Sequence, residues 1–280
     1  MSHVSTQSDS SRQRQSLLFG RQREQDLLRE RLVAMLAGHG GLVLVGGEAG
    51  IGKTALVGWL AGEALARGAR VLTGGCYDLT ATPPYGPWLE AFEGDRLPGE
   101  IAQRPAADSM SSETALAYLA GIAGERPLVV VLEDLHWSDP ASLDLLRHLA
   151  RRVGALPVML VATYRDDEIG HDHPLFPLLP LLVREAGAAR VDPRRLDNAS
   201  IQASVAGRYR LPASDERRLT AYLARLSDGN PLYLTELLRA LEAERLLTQN
   251  GDGWSLAGLD EVIVPPLLRQ IIAGRLARLR

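Results

Sequence analysis

One eight-residue segment constrains the fold more than any other part of the chain. Gly47-Glu-Ala-Gly-Ile-Gly-Lys-Thr54 matches the pattern G-x-x-x-x-G-K-[ST] at every fixed position. The apolar residues Leu42–Val45 predict a strand directly before it, and Thr54–Arg67 predicts a helix directly after it. In that context successive backbone N–H groups point into one anion-binding nest, which the positive end of the helix reinforces. The segment therefore predicts a phosphate-binding loop in an α/β protein.

The basic residues single out the same loop. Of the 31 lysines and arginines, only Lys53 is a lysine. A compact ammonium can reach the β- and γ-phosphates of a nucleotide, whereas the planar fork of arginine does not fit the nest. Thr54 offers a hydroxyl to Mg²⁺. The residues expected to contact the nucleotide here are Gly47, Glu48, Ala49, Gly50, Ile51, Gly52, Lys53, Thr54 and Ala55.

The first two-thirds of the chain alternates strand and helix patterns. Short apolar strands separated by helices predict parallel βαβ units with both faces of the sheet covered. Residues 78–110 hold many prolines and predict a long irregular excursion on the surface, in which Tyr85 and Trp88 are candidate contacts for a partner. The predicted strands are Leu42–Val45, Arg70–Thr73, Leu128–Glu133, Val158–Thr163 and Ala189–Asp192.

The pattern changes after Pro193. Three helical segments follow, at 197–208, 214–227 and 231–246, and Asn250-Gly251 predicts a small hairpin. Pro265-Pro266 opens a further helical pattern. We therefore expect four parts: a disordered tail (1–16), an α/β nucleotide-binding core (17–193), a helical segment with a hairpin (194–257) and the start of another domain (258–280).

A second motif supplies carboxylates. The buried strand Leu128–Glu133 delivers Glu133 and Asp134 at its C-terminal end, where ligands of open α/β sheets bind. On the Walker B template Glu133 helps to hold Mg²⁺, together with Thr54, and Asp134 polarises the attacking water. Aspartate is the usual residue at the metal position, so the order Glu-Asp departs from this template.

A third strand end carries a cation. Arg165 follows Val158–Thr163 and is a candidate sensor that distinguishes ATP from ADP through the γ-phosphate; the alternative is a solvated charged loop. His171 and His173 are weak evidence for a metal site, because they are neighbouring loop residues without further Cys or His ligands. Cys76 follows a strand and is expected to be a small buried residue.

The overall composition excludes several classes of protein. The net charge is −3, so bulk charge gives no sign of a nucleic-acid-binding face. One cysteine in 280 residues excludes an internal disulfide framework and fits a reducing compartment. The polar first 16 residues lack the apolar core of a signal peptide, and the longest apolar runs are too short to span a membrane. We therefore expect a soluble, cytoplasmic protein.

Several motifs together resemble one family. The segments FGRQRE (19–24), GGEAGIGKT (46–54), VVVLEDLHWSDP (129–140), ATYRDDE (162–168), HPL (173–175) and GNPLYLTELL (229–238) occur in the order seen in STAND-class signal-transduction ATPases. The chain looks most like the ATPase module of large LuxR-type (MalT-like) bacterial transcriptional regulators. This resemblance covers residues 17–280.

The resemblance implies a fold and further residue roles. It implies a P-loop NTPase core with strand order 5-1-4-3-2, a C-terminal helical lid and, from about Trp254 onward, the beginning of a truncated winged-helix domain. Phe19, Gly20 and Arg21 would lie beside the adenine, and Pro231 would touch the base or ribose. Arg165 would be the sensor. The sensor region and DNA-binding domain of such regulators would lie elsewhere, so we assign no nucleic-acid contact to these residues.

Three functions remain open from the sequence. The first is a molecular switch that binds ATP and Mg²⁺ and hydrolyses ATP slowly, with the ATP or ADP state controlling the lid and self-association, while an inducer binds other domains. The second is an oligomeric AAA+ remodelling ATPase, for which Arg147, Arg151 and Arg152 are candidate arginine fingers. The third is a nucleotide-binding scaffold with negligible hydrolysis.

Overall fold

The computed structural model describes residues 18–78, 83–94, 105–251 and 253–259. The predicted tail (1–16) and the helical pattern after Pro265 lie outside these residues, as does most of the predicted last domain. Seven strands and nine helices of eight residues or more occur in the described part. In chain order they are α1 (Gln22–Leu36), β1 (Gly41–Val45), α2 (Lys53–Ala66), β2 (Arg70–Gly75), α3 (Gly86–Glu93), α4 (Ser112–Glu125), β3 (Leu128–Glu133), α5 (Pro140–Ala150), β4 (Val158–Thr163), α6 (Leu175–Ala186), β5 (Ala189–Val191), α7 (Asn198–Arg208), α8 (Ala213–Ser227), α9 (Pro231–Ala243), β6 (Leu247–Asn250) and β7 (Gly253–Leu256).

The five strands β1–β5 form one parallel sheet. Their order is β2-β3-β4-β1-β5, which confirms the predicted order 5-1-4-3-2. In register, Val43 of β1 pairs with Val161 of β4 and with Ala189 of β5, while β3 pairs with β4 on its other side. Because all strands run the same way, the loops after β1, β3 and β4 emerge at the same edge of the sheet.

Burial explains why these strands read as unbroken apolar runs. The residues of β4 are all buried, and those of β3 are buried up to Leu132. Strands covered by helices on both faces require apolar side chains at consecutive positions rather than at alternate ones. The first charged residue of β3, Glu133, is only partly buried at the strand end.

The prediction of an irregular surface segment at 78–110 was wrong for Gly86–Glu93, which is helix α3. Pro87 lies in the first turn, where a missing N–H costs nothing. Trp88 and Phe92 are fully buried, and the Trp88 indole N–H donates to the Ser142 carbonyl at 3.2 Å. Trp88 is therefore a core residue, and the hypothesis that it contacts a partner is wrong; the prolines hid a short amphipathic helix.

The chain divides into two compact units. The first comprises Arg23–Ala49 and Lys53–Pro193, which includes the parallel sheet. The second, which we call the helical unit, comprises, among the described residues, 18–22, the loop residues Gly50–Gly52 and the described residues from Arg194 onward. Among the described residues no helix is both long and apolar enough to cross a membrane.

The helical unit has its own apolar core. Helices α7–α9 pack around it, and the antiparallel hairpin β6–β7 closes one side, as the Asn250-Gly251 signal predicted. Trp254 packs edge-on against Tyr209, with ring centroids 4.8 Å apart. The fully buried aliphatic and aromatic residues include Val205, Tyr209, Leu219, Leu223 and Leu237.

Candidate functional site

The phosphate-binding loop has the backbone conformation that its glycines allow. Gly47, Gly50 and Gly52 have φ values of 141°, 75° and 102°, a region that residues with a Cβ rarely adopt. A Cβ on Gly50 would also lie 2.7 Å from Leu232 Cβ and 3.0 Å from Asn230 Oδ1. Glycine at 50 is thus required both by the turn and by the neighbouring helical residues.

Lys53 is the first residue of α2, and its side chain folds back over the loop. Its ammonium donates hydrogen bonds to the carbonyls of Gly47 at 2.6 Å and Glu48 at 3.0 Å. Burial lowers its pKa, and the nearby charge of Asp134 opposes that shift. A buried cation beside a loop of glycine N–H groups fits the charge and the donor pattern of a polyphosphate.

Carboxylates follow the neighbouring strand β3. The Asp134 backbone is left-handed (φ 55°), and its N–H donates to Thr163 Oγ1 of β4 at 2.9 Å. Burial raises the pKa of Glu133, and the charges of Asp134 and Glu90 add to that effect. A bound cation would favour the ionised form of such a carboxyl group and lower its pKa again. With the exposed hydroxyl of Thr54, these oxygen donors are of the type that Mg²⁺ prefers.

Arg165 lies in the same electrostatic neighbourhood. Its Nε is 3.9 Å from Asp134 Oδ1, and its charge lowers the pKa of Lys53. Its Nη1 donates to Glu168 Oε1 at 2.6 Å, and the guanidinium lies 4.8 Å from the centre of the Trp137 ring. The structure therefore brings together Lys53, Asp134 and Arg165, three residues that the sequence placed on three separate loops.

Two residues near this group, His136 and Glu168, were not identified as functional candidates by the sequence analysis. The His136 side chain is fully buried; its Nε2 is 3.3 Å from Glu168 Oε2 and its Nδ1 is 3.9 Å from Asp134 Oδ1, without hydrogen-bond geometry in either case. Burial lowers the pKa of His136, whereas Glu168 and Asp134 act to raise it. Their positions in the sequence could have indicated them, because both residues follow the C-terminal ends of adjacent parallel strands.

His173 and Asp139 have structural contacts that account for them. The His173 Nδ1 accepts the N–H of Leu175 at 3.1 Å, so its Nε2 donates to the carbonyl of His136 at 2.8 Å. Asp139 caps α5 by accepting the N–H of Ser142 at 2.9 Å. His171 packs against Phe176. Within the described ranges no group of three or more His, Cys, Asp or Glu side chains is arranged to hold a metal ion.

Cys76 is buried next to the end of β2. Burial raises the pKa of its thiol to about 12. This fits the expected small buried residue and not a reactive thiol.

In the helical unit, the residues that the resemblance assigns to the adenine make specific contacts. The Arg21 guanidinium donates to the carbonyl of Ile51 at 2.8 Å and to that of Arg194. Phe19 packs against Gly207, where an added Cβ would lie 2.8 Å from its ring. The Arg21 guanidinium is thus hydrogen-bonded to two backbone carbonyls that are far apart in the sequence.

Pro231 and its neighbours begin helix α9. Pro231 is buried in the first turn, and Asn230 Oδ1 caps the helix by accepting the Leu232 N–H at 3.0 Å. The same N–H lies 3.2 Å from the carbonyl of Gly50 and donates to it. The start of α9 is thus hydrogen-bonded to Gly50, which belongs to the same helical unit.

The candidate arginine fingers lie at the end of α5 and directly after it. Arg147 and Arg151 lie 3.2 and 4.0 Å from Glu185, and Arg152 lies 3.7 Å from Glu113. Their side chains are 38–56% exposed. Ion pairs this exposed hold a side chain only weakly, so all three remain accessible to another molecule.

The sequence matches a family profile and a curated relative. A profile described as the AAA ATPase domain matches residues 17–161, just over half of the chain. An uncharacterized protein of Rhizobium meliloti (strain 1021) is 25% identical over 269 residues. That match covers 79% of this chain but 24% of the relative, so the chain spans about a quarter of the relative's length.

Solved structures share the fold at low identity. A Walker-type ATPase of Pyrococcus abyssi aligns with a TM-score of 0.58 and 16% identity, over 94% of this chain and 75% of that one. Cdc6p from Pyrobaculum aerophilum aligns with a TM-score of 0.59 and 16% identity, over 81% and 62%. The Aeropyrum pernix ORC2 protein aligns with a TM-score of 0.52 and 16% identity, over 91% and 68%. Each likeness concerns the fold.

Proposed function

Because this chain belongs to the AAA ATPase domain family, we propose that it is the ATP-driven switch module of a signal-responsive regulator and that it hydrolyses ATP slowly. One observation carries the proposal: Lys53, Asp134 and Arg165 lie within electrostatic reach of one another beside the glycine-rich loop. A phosphate-binding cation, a carboxylate and a second cation are the parts that phosphoryl transfer from a bound triphosphate requires.

Each residue takes a role that its contacts support. Lys53, already held over the loop carbonyls, binds the β- and γ-phosphates. Thr54 and Glu133 hold Mg²⁺, which neutralises charge on the phosphates when it is bound. Asp134 accepts a proton from the attacking water, and the hydrogen bond from its backbone N–H to Thr163 Oγ1 fixes the main chain that carries this carboxylate at the end of β3. The remaining loop residues of 47–55 contribute backbone N–H groups.

Arg165 supplies the difference between ATP and ADP. It follows β4, the strand beside β1, and its charge lowers the pKa of Lys53. A γ-phosphate near Lys53 would attract the same guanidinium, whereas ADP presents no phosphate at that position. A ligand shifts a conformational equilibrium only through such differential contacts.

The regulator role rests on the family resemblance. The motif order is that of STAND-class modules, and the chain spans about a quarter of its curated relative, as expected of one module in a long protein. In this proposal Phe19, Gly20, Arg21 and Pro231 contact the adenine or ribose, and an inducer acts through other domains. The cytoplasmic location and self-association belong to the same proposal.

Two variants test the nucleotide chemistry. Lys53→Ala should weaken ATP binding by removing the phosphate-binding cation, while Asp134→Asn should retain binding and slow turnover. Arg67→Ala is a matched control, because it removes an exposed cation that pairs with Glu63 just beyond the same helix. Wild-type ATP affinity in Lys53→Ala, measured by calorimetry, would exclude the proposed site.

A second candidate function is an oligomeric remodelling ATPase. The observation that favours it is the exposure of Arg147, Arg151 and Arg152, which leaves each of them accessible to a neighbouring copy. ATPase rate against protein concentration separates the two candidates. A rate per subunit that rises steeply with concentration and falls in Arg147→Ala favours the remodelling ATPase. A low rate independent of concentration favours the switch, and tight ADP binding without turnover indicates a scaffold.

A further inference from the structure

The contacts of Arg165 extend beyond the residues assigned to catalysis. We propose that Glu168 is a positioning residue that competes with the γ-phosphate for the Arg165 guanidinium and thereby sets how strongly the protein prefers ATP to ADP. This inference rests on the proposed function, because it takes Arg165 as the sensor. It adds a residue that neither the motifs nor the family match assigns.

The Arg165–Glu168 pair differs from the other pairs spaced three residues apart. Its N···O distance is 2.6 Å, and both side chains are 28% exposed. In the described pairs Asp26–Arg29, Asp215–Arg218 and Glu236–Arg239 the arginine is 39–51% exposed. Those pairs lie on helix surfaces, whereas Arg165 directly precedes a short turn after β4 and Glu168 is the last residue of that turn. Lower exposure reduces solvent screening, so this pair holds its arginine more firmly.

Both carboxylate oxygens of Glu168 lie close to a side-chain nitrogen atom, although only Oε1 accepts a hydrogen bond. Oε1 accepts from Arg165, and Oε2 lies 3.3 Å from Nε2 of the fully buried His136. The His136 carbonyl in turn accepts from His173. The imidazole is fixed by its burial, so it restricts the rotamers that Glu168 can adopt and keeps the carboxylate beside Arg165.

The guanidinium itself is held on two edges and one face. Glu168 takes Nη1, Asp134 lies 3.9 Å from Nε, and the Trp137 ring lies against the plane at 4.8 Å. A phosphate oxygen accepts from the same N–H groups as a carboxylate. An incoming γ-phosphate must therefore share Arg165 with Glu168 or displace it, and ADP meets no such competition.

The test compares ATPγS with ADP, both with Mg²⁺, by calorimetry on the full chain. Glu168→Gln keeps the shape and removes the charge, so ATPγS should bind about three- to tenfold more tightly while ADP binding is unchanged, the range expected when a partly exposed ion pair stops competing. Glu168→Asp keeps the charge and should stay near wild type, which also shows that the turn tolerates substitution.

Two control variants isolate the pair. Asp167→Asn removes the same charge from the same turn, and Asp167 acts on the pKa of Lys53. Glu185→Gln removes an ion pair with Arg147 elsewhere on the same unit. Neither should change the ratio of ATPγS to ADP affinity as Glu168→Gln does. An equal change in Asp167→Asn would overturn the proposal in favour of a general field effect.

A spectroscopic readout follows the guanidinium directly. Because Trp137 stacks on Arg165, ATPγS should alter its emission in wild type and ADP should not, and Trp137→Phe should abolish the change. An affinity ratio that is unchanged or lower in Glu168→Gln overturns the competition while leaving nucleotide binding intact. If wild type binds neither nucleotide, the proposed function fails together with this inference.

Discussion

Replacing Gly50 by alanine tests the contact between Gly50 and the start of α9, both of which belong to the helical unit. Gly50 has a φ of 75°, and an alanine there costs about 1–2 kcal/mol in backbone energy alone. The new Cβ would also lie 2.7 Å from Leu232 Cβ, an atom next to the backbone that cannot rotate away. Crowding of this kind adds about 1–3 kcal/mol. The total is therefore about 2–5 kcal/mol.

Gly38→Ala is the matched control for Gly50→Ala. Gly38 has a φ of 90° but nothing within 4 Å of its added Cβ, so it carries the backbone cost without the crowding. At about 2–4 °C per kcal/mol for a protein of this size, Gly38→Ala should lower the unfolding midpoint by a few degrees, and Gly50→Ala by roughly twice as much.

Nucleotide affinity provides the second measurement on the same pair. Strain relieved by moving the loop depopulates its binding conformation, so Gly50→Ala should weaken ATP binding about tenfold or more, while Gly38→Ala should leave it unchanged. Calorimetry with ATP and Mg²⁺, beside thermal unfolding, decides the outcome. If Gly50→Ala is no less stable than Gly38→Ala and binds ATP equally well, the reasoning from Leu232 and Asn230 is wrong.

Three further predictions concern catalysis, packing and the single thiol. Asp134→Asn should lower the steady-state ATPase rate by about 10²–10⁴-fold, the usual contribution of a general base, with ATP affinity kept; a wild-type rate would refute its role. Trp88→Ala should lower the free energy of unfolding, measured with denaturant, by about 3–5 kcal/mol because it empties a fully buried site. Trp59 is half-buried beside Arg29, so Trp59→Ala should lower the same free energy by about 1 kcal/mol. The pKa of Cys76 is about 12 in the native protein against an ordinary 9.0, so iodoacetamide should label it only after unfolding. Unfolded chains lose that proton first, so stability should also fall as the pH rises above 9 toward 12.

The strands could be predicted because strands buried on both faces have apolar residues at consecutive positions, which is a pattern visible in the sequence. Leu128–Glu133 and Val158–Thr163 are apolar at consecutive positions and have the predicted bounds. The strand order came from the family resemblance, since no local pattern says which strands are neighbours. Helix α3 was missed because its prolines favour loops in general, and only packing against α5 reveals that Pro87 starts a helix and Trp88 fills the core.

The sequence by itself determined the conformation of the glycine-rich loop 47–54. Its glycines, Lys53 and the flanking strand and helix are adjacent in the chain, so the conformation follows from local backbone sterics. The tertiary structure alone decided what surrounds Arg165. Asp134, His136 and Trp137 come from one loop and Glu168 from another, and they meet only because β3 and β4 are neighbours in the sheet. Contacts between residues about thirty positions apart depend on strand pairing and burial, which short sequence patterns do not encode.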